Sequence, residues 1–319
     1  NVTGGTSPYS YAWNTSPAQN AATATGLPAG SWTCTVTDAH GCSTTRSVNI
    51  TQPAATLSGS VSAQVNVLCF GNSTGSATVS ISGGTTPYSY SWNTAPVQTT
   101  ATATNLPAGS YTCTISDANG CSITRNVTIA QPAAVLSASI SAQTNVLCFG
   151  NNTGSATASP SGGTSPYSYS WNTAPVQNAA TASGLVAGSY TCTITDANGC
   201  STTTSVTITQ PAAVLGTSIA AQVNVLCFGQ NTGSATINVN GGTSPYNYAW
   251  NTAPVQNSAS ATGLTAGTWT CTVTDANGCS TTRSVNITQP AATLSGSVSA
   301  QFNVLCFGNS TGSATVSIS

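Results

Sequence analysis

Charge is the scarcest property of this 319-residue chain. It contains three Arg, four Asp and one His, so that only 2% of its residues are charged, and Lys, Glu and Met do not occur. A soluble domain is usually about 25% charged. General acid–base catalysis needs positioned ionisable side chains, and nucleic-acid binding needs clustered basic ones. The composition therefore argues against an enzyme and against a nucleic-acid-binding protein.

Long apolar runs and metal-binding motifs are lacking as well. No run approaches the ~20 apolar residues that span a membrane. No secretion signal precedes the first residue, which already lies inside a repeat, so we expect a fragment of a longer array. The chain has no CxxC motif, a lone His40 and one Asp per repeat, whereas calcium sites need about six to eight oxygen ligands. We expect no metal and no cofactor.

A 79-residue period organises the chain. The stretch "GGTSPYSYAWNT" (Gly4–Thr15) recurs in three further copies with few changes, and Arg46–Ser82 matches Arg283–Ser319 three periods later except that Phe302 replaces Val65. This period is too long for a solenoid coil and suits a small self-contained domain. The predicted divisions are a partial repeat 1–53, complete repeats 54–132, 133–211 and 212–290, and a partial repeat 291–319.

Cysteines follow the same period. They are separated by steps of 8, 27 and 44 residues, at Cys34, Cys42, Cys69, Cys113, Cys121, Cys148, Cys192, Cys200, Cys227, Cys271, Cys279 and Cys306. Regular cysteines without metal-binding partners are typical of disulfides in an oxidising, extracellular setting. Each full period has three cysteines, so disulfides within one repeat would leave one thiol over.

All secondary-structure signals within a repeat indicate β-strands. Short runs of alternating residues are separated by Gly, Pro, Asn and Asp at spacings of about 8–12 residues, and no amphipathic helix is present. The pattern predicts an all-β chain of tandem immunoglobulin-like β-sandwiches with seven strands each. In the repeat 54–132 the runs are Leu57–Ala63, Ser76–Ile81, Tyr88–Trp92, Thr99–Leu106, Gly109–Asp117 and Cys121–Ile129.

Three single residues sharpen this prediction. Trp92 occupies the place of the central core tryptophan of a sandwich, and Tyr111 resembles a tyrosine corner two residues before a cysteine. Pro160 stands in a strand of the third repeat. Because proline has no N–H to donate, it must face an open edge or lie near a strand end.

The hairpin Gly109–Ile129 limits how its two cysteines can pair. Its turn, Asp-Ala-Asn-Gly-Cys, suits a three-residue loop with Gly120 left-handed, which places Cys113 opposite Arg125. Cys113 and Cys121 then lie ~13 Å apart along the ladder, whereas a disulfide needs Cα atoms within ~7 Å. Cys69 is left with either Cys121 or Cys113 as its partner.

The repeat as a whole resembles a known family. "NVLCFGNSTGSATVSISGGTTPYSYSWNT" followed by "LPAGSYTCTISDANGCSITRNVTIAQP" is similar to the SprB repeat of Bacteroidetes cell-surface proteins. The resemblance extends over the whole chain. It implies sandwiches of PKD or SprB type in long, secreted, modular surface proteins, among them a gliding-motility adhesin.

The resemblance also bears on the disulfides. Repeats of this family usually have two cysteines, which match Cys69 and Cys121, whereas the immunoglobulin analogy would join Cys69 to Cys113 instead. The family pattern implies the bonds Cys69–Cys121, Cys148–Cys200 and Cys227–Cys279. It leaves buried thiols, or else cross-links between neighbouring chains, at Cys34, Cys113, Cys192 and Cys271.

The partial repeats at the two ends complement each other. Residues 291–319 supply the early strands that residues 1–53 lack. We therefore expect the tail of one chain, or the continuation of the same long chain, to complete the first domain of the next and to join Cys306 to Cys42. The chain's expected partner is thus itself.

Glycans could supply the hydration that the missing charges do not. N-x-S/T sequons occur at Asn1, Asn14, Asn49, Asn72, Asn126, Asn151, Asn286 and Asn309. Exposed Ser and Thr are further candidates for O-glycans. We therefore expect a glycoprotein.

Two functions fit these observations. The first is structural: a rigid, disulfide-linked stalk or filament on a bacterial surface, because the "TQPAA" junctions (Thr51–Ala55 and its equivalents) are short and contain proline. The alternative is an adhesin whose repeats bind polysaccharide, with Tyr88, Tyr90 and Trp92 as a sugar-stacking platform. The alternation of these aromatics favours a place in the core instead.

Overall fold

The computed structural model describes residues 1–318, which fold into β-strands connected by turns and contain no helix. The chain divides into two compact units, Asn1–Ala133 and Ala134–Ser319, which are described separately. The strands of the first unit are β1 (Ser10–Trp13), β2 (Gly30–Thr37), β3 (Ser43–Ile50), β4 (Ser58–Val65), β5 (Gly75–Ser82), β6 (Ser89–Trp92), β7 (Thr102–Leu106), β8 (Gly109–Ser116) and β9 (Ser122–Ile129).

The second unit continues the same order of strands. They are β10 (Ser137–Thr144), β11 (Gly154–Ser161), β12 (Ser168–Trp171), β13 (Thr181–Leu185), β14 (Gly188–Thr195), β15 (Ser201–Ile208), β16 (Gly216–Val223), β17 (Gly233–Asn240), β18 (Asn247–Trp250), β19 (Ser260–Leu264), β20 (Gly267–Thr274), β21 (Ser280–Ile287), β22 (Gly296–Phe302) and β23 (Ser313–Ile318).

Each complete repeat is a sandwich of two antiparallel sheets. In the third repeat the sheets have the strand orders β10-β11-β13 and β12-β14-β15, and the second and fourth repeats have the same topology. The immunoglobulin-like, all-β prediction is confirmed. The expected strand number was wrong by one, because each complete repeat has six strands rather than seven.

The core lies between the two sheets and centres on a tryptophan. Trp171 on β12 is 1% exposed, and its register partner on β14 is the fully buried Cys192. The indole N–H of Trp171 donates to the carbonyl of Ala179, so its one polar atom is satisfied inside the sandwich. Trp92 and Trp250 are buried in the same way.

The tyrosine corner is present where the sequence predicts it. The Tyr111 hydroxyl donates to the carbonyl of Pro107, four residues upstream, over 2.9 Å. In the fourth repeat Trp269 replaces the tyrosine and donates its indole N–H to Thr265 in the same geometry. The corner therefore requires a ring with a donor at its tip.

Pro160 lies at a position in the sheet where no backbone N–H is needed for a hydrogen bond. It is the second-last residue of β11, and on one side it pairs with Ala138 of β10. On the other side β13 pairs only with Gly154–Thr157, so the edge beside Pro160 is open, as predicted.

The partial repeats expose the inner faces of their sheets. Within residues 1–53 the strands form the single sheet β1-β2-β3, and Val48 is 42% exposed whereas the equivalent Val127 is 6% exposed. Within 291–318 the sheet β22-β23 stands alone, and Val304 is 45% exposed whereas the equivalent Val225 is 3% exposed. Each partial repeat thus contains strands of only one of the two sheets of a sandwich.

A left-handed glycine allows one turn of each complete repeat to pack against the start of that repeat. Gly162 has φ +69°, and a Cβ built on it would lie 2.1 Å from the carbonyl oxygen of Val135. Gly199, at the hairpin tip, has φ +82° but no heavy atom within 4 Å of such a Cβ. The two positions share the backbone requirement and differ only in the available space.

Gly162 and Gly199 predict two different losses of stability for the same substitution. Gly199→Ala should lower the free energy of unfolding by about 1–2 kcal/mol, the cost of a left-handed L-residue. Gly162→Ala should lower it by about 1–3 kcal/mol more, because the new methyl group overlaps backbone. Urea denaturation followed by tryptophan fluorescence measures both. Equal losses would show that the contact with Val135 is unimportant.

Candidate functional site

The hairpin that carries a cysteine at its tip has the predicted register. Ile115 pairs with Ile123 and Cys113 pairs with Arg125, and the N–H of Asp117 donates to the carbonyl of Cys121. Gly120 is left-handed, with φ +81°. Local turn chemistry therefore places the exposed Cys121 at one end of its repeat, away from the buried Cys113.

A buried aspartate organises this tip. In the third repeat Asp196 Oδ1 accepts from the N–H groups of Asn198 and Cys200, and Oδ2 accepts from Thr164 of the preceding glycine turn. Burial opposes ionisation, but these donors hold the pKa of the Asp196 carboxyl below its ordinary value. The carboxylate thus ties the hairpin to the turn beside it.

The other cysteine of the site lies on a loop anchored by the end of its own repeat. The N–H of Val146 donates to the carbonyl of Thr209, and the N–H of Gly150 donates to Oε1 of Gln210. Val146 is 2% exposed. The loop that carries Cys148 is therefore held next to the junction where the following repeat begins.

At this junction the loop of one repeat is bonded to the hairpin of the next. Cys148 of the third repeat forms a disulfide with Cys279 of the fourth, with Cα atoms 5.7 Å apart and a sequence separation of 131 residues. The side-chain amide of Asn277 donates to the carbonyl of Leu147 over 2.9 Å. Cys69 and Cys200 are also disulfide-bonded cysteines.

These bonds overturn the expected pairing. Cys148 is not bonded to Cys200, and Cys279 is not bonded to Cys227. Cys121 is a free cysteine, so the bond Cys69–Cys121 is not formed either. The reason is geometric: the loop cysteine lies at the end of its repeat that meets the next one, where the next hairpin tip is the cysteine within reach.

The leftover cysteine of each repeat belongs to the core. Cys34, Cys113, Cys192 and Cys271 are free and buried. Desolvation raises the pKa of the Cys113, Cys192 and Cys271 thiols, against the smaller effect of a backbone hydrogen bond. Such thiols behave as small hydrophobic side chains.

Metal and membrane sites are not found in the part of the chain that the structure describes. Among residues 1–318 no three His, Cys, Asp or Glu side chains come together as metal ligands would. No helix in that range is long and apolar enough to cross a membrane.

The family model described as SprB repeat matches residues 61–97, 140–176 and 219–255. Each segment runs from the first strand of a complete repeat to the turn that follows its buried tryptophan. These three segments are SprB repeats. Disulfide bonds are typical of proteins in oxidising compartments. Together, the three matched segments and the disulfides indicate an extracellular or cell-surface repeat protein.

Several solved structures are similar to this chain. Three N-terminal domains of the bacteriophage RB49 Highly Immunogenic Outer Capsid protein are 15% identical, with a TM-score of 0.37 and 72% of this chain and 99% of that chain covered. A tetra-tandem repeat from the extending region of a large adhesion protein is 16% identical, with a TM-score of 0.32 and coverages of 89% and 92%. These scores are too low to support an argument about function. No curated protein matches the chain.

Sequence reasoning missed the residues that join successive SprB repeats. Asn277, Leu147 and Phe149 were not recognised as contacts of the junction, although each recurs at its own phase of the period. The signal that could have identified the position of Asn277 is the difference between the repeats at that position. The other repeats have Asn119 and Asn198 there, but the first, partial repeat has His40.

The hairpin carboxylates predict how stability depends on pH. The folded pKa values of Asp117 and Asp196 are lowered, so their contribution is complete above the unfolded value of about 3.9 and is lost as the pH falls through the folded values. Because the chain has no Glu, the acid limb of the stability profile should arise from Asp. Urea denaturation between neutral and strongly acidic pH should show it, and Asp196→Asn should flatten it relative to Asn198→Ala, which keeps the carboxylate.

The buried thiols predict selective alkylation. Iodoacetamide at neutral pH should modify the exposed Cys227 of the monomeric chain and leave Cys113, Cys192 and Cys271 unmodified until the protein is unfolded, because the thiolate is the reactive form and burial disfavours it. Mass spectrometry of chymotryptic peptides, prepared after alkylation with and without urea, is the measurement. Rapid modification of Cys192 in the folded chain would contradict its place in the core.

Proposed function

We propose that the chain is a structural element of the bacterial cell surface, a rigid stalk or filament of tandem SprB repeats. The observation that carries the proposal is the disulfide Cys148–Cys279, which adds a second covalent connection between successive repeats. The first is the backbone itself, which passes through the short segment Gln210-Pro211-Ala212. Two connections at different points of one junction oppose bending, which a single flexible linker would allow.

Polar contacts at the junction support the same role. Gln210 holds the loop of its own repeat, Asn277 donates across to Leu147, and the N–H of Gly242 donates to the carbonyl of Ala213 at the start of the fourth repeat. The segment between the two sandwiches is therefore hydrogen-bonded on both sides. Such contacts are typical of a spacer that transmits force or holds a fixed spacing.

The surface of such a stalk requires hydration from another source than charge. All sequon asparagines are exposed, at Asn1, Asn14, Asn49, Asn72, Asn126, Asn151, Asn286 and Asn309. Glycans at these positions, or on exposed Ser and Thr, would keep a chain with 2% charged residues soluble. Intact mass measures this directly: the native chain should exceed its bare mass of 31.5 kDa, and equality would exclude glycosylation.

The alternative of a polysaccharide-binding adhesin loses its candidate platform. Trp92 is 1% exposed, and Tyr90 packs against the core of its repeat. The Tyr88 hydroxyl donates to Gly83 of the neighbouring turn. These aromatics are used for packing and turn geometry, so the spacer function has the better support.

Electron microscopy tests the stalk. Native material should form straight, narrow particles in which successive repeats keep one orientation. The double variant C148S/C279S should bend at the junction between the third and fourth repeats, whereas C192S, which alters only a buried thiol, should bend no more than the wild type. Compact or randomly bent wild-type particles would contradict the proposal.

A further inference from the structure

The second repeat has a non-glycine residue in a left-handed backbone conformation. Asn105 has φ +55°, and among residues 1–318 it is the one residue other than glycine with a positive φ. The other repeats have Gly26, Gly184 and Gly263 at the same phase, with φ between +66° and +69°. Because an L-residue is strained in this region, Asn105 keeps a side chain where the backbone favours glycine.

The fold leaves room for that side chain but gives it no partner. A Cβ built on Gly26 meets no heavy atom within 4 Å, and one built on Gly263 lies 3.9 Å from the nearest, the carbonyl oxygen of Asn231. Asn105 is exposed. Within the part of the chain that the structure describes, no hydrogen bond joins its side-chain amide to another group. Packing therefore does not account for the strained residue, and strain of this kind points to a function.

The side chain of Asn105 lines an open cleft. The cleft has a volume of about 530 Å³ and lies between the turn that follows β6 and the end of β7. Its lining also includes Asn93, Pro96, Pro107 and Tyr111, and none of the lining residues is charged. This volume falls in the range of small-molecule sites, which is about 300–1,000 Å³.

Hydrogen bonds hold the two sides of the cleft in one arrangement. The side-chain amide of Gln98 donates to the carbonyl of Thr104 and accepts from its N–H, over 2.9 Å each. Oδ1 of Asn93 accepts from the N–H of Thr112 over 2.8 Å, which fixes the orientation of the amide and leaves Nδ2 as a donor. A site that is formed before its ligand arrives loses less conformational entropy on binding.

The groups on the cleft wall match a neutral sugar. The amides of Asn93 and Asn105 provide N–H donors, and the Asn105 amide also provides an acceptor. Neighbouring hydroxyl groups of a sugar donate and accept hydrogen bonds in the same way. Tyr111 adds an aromatic ring, which packs well against the apolar C–H face of a sugar. No Asp, Arg or His lines the cleft, so a phosphate or carboxylate would find no opposite charge there.

We propose that this cleft of the second repeat binds a neutral saccharide, and that Asn105 distinguishes it from the same place in the other repeats. The frame of the cleft is common to the repeats. In the third repeat the amide of Gln177 is bonded to Ser183 as Gln98 is bonded to Thr104. Gly184, however, has no side chain to offer. The second repeat thus adds a polar group to a frame that the others leave bare.

The inference goes beyond the proposed stalk and does not depend on it. The cleft uses none of the aromatics Tyr88, Tyr90 and Trp92, which serve packing and turn geometry. Straight particles that bind no saccharide would refute the cleft and leave the stalk function standing. Flexible particles that bind saccharide through Asn105 would do the reverse.

An NMR titration tests the site. The 319-residue chain is labelled with ¹⁵N, expressed without glycans and titrated with maltose, cellobiose or N,N′-diacetylchitobiose, and separately with glucuronic acid or a proline-rich peptide. We expect a neutral disaccharide to shift the side-chain amide signals of Asn105 and Asn93. No shift with any of the neutral disaccharides, or a response to glucuronic acid or to the peptide alone, would overturn the proposal.

Variants identify the residue responsible. N105G installs the glycine of the other repeats, so its urea-denaturation midpoint should equal or exceed that of the wild type. Its affinity for the disaccharide should fall about five- to tenfold, as expected for the loss of one or two hydrogen bonds. The matched N72G, which also replaces an exposed asparagine of the second repeat, should bind as the wild type does. Undiminished binding by N105G would contradict the proposal.

The reverse substitution tests whether the asparagine is sufficient. G184N should add a second set of responsive side-chain amide signals, from the third repeat, because the frame around Gly184 is already in place. A folded G184N chain with no new response would contradict the assignment of Asn105 as the distinguishing residue.

Discussion

The hairpin aspartate is the interaction on which the architecture depends. Asp275 accepts from the N–H groups of Asn277 and Cys279 and from Thr243 of the adjacent turn. A charge buried without such donors would be costly, whereas one that satisfies three backbone groups stabilises a single turn geometry. Because that geometry sets where Cys279 and Asn277 emerge, it also sets the contact with the preceding repeat.

Cohesion in this protein depends little on ionic interactions. The four Asp act within their own turns, and Arg125 donates to backbone carbonyls, those of Gly59 and Thr124. Stability within a repeat comes from two small sheets closed around a tryptophan, and stability between repeats comes from covalent bonds. A chain with few charges gains from this division, because disulfides are insensitive to the salt that screens surface charges.

Features that depend on residues close in sequence were predicted correctly, whereas contacts between distant residues were not. The hairpin register, the left-handed Gly120, the tyrosine corner and the buried Trp92 were all predicted correctly, since each depends on residues close in sequence or on alternation along one strand. The disulfides were predicted wrongly. Cys200 and Cys279 stand in identical local contexts, one period apart, so a repeating sequence offers no signal that tells Cys148 which of them is near.

The sequence by itself determined the repeat, its sandwich fold and the roles of residues inside one domain, because turn chemistry and the pattern of buried side chains act over a few residues. Only the tertiary structure decided which cysteines meet. The end of each repeat holds its Cys-Phe-Gly loop through Gln210 and Thr209 against the next hairpin. A disulfide forms only between cysteines that are close in space. In a periodic sequence the equivalent cysteine recurs in every repeat, so the sequence does not show which copy is the close one.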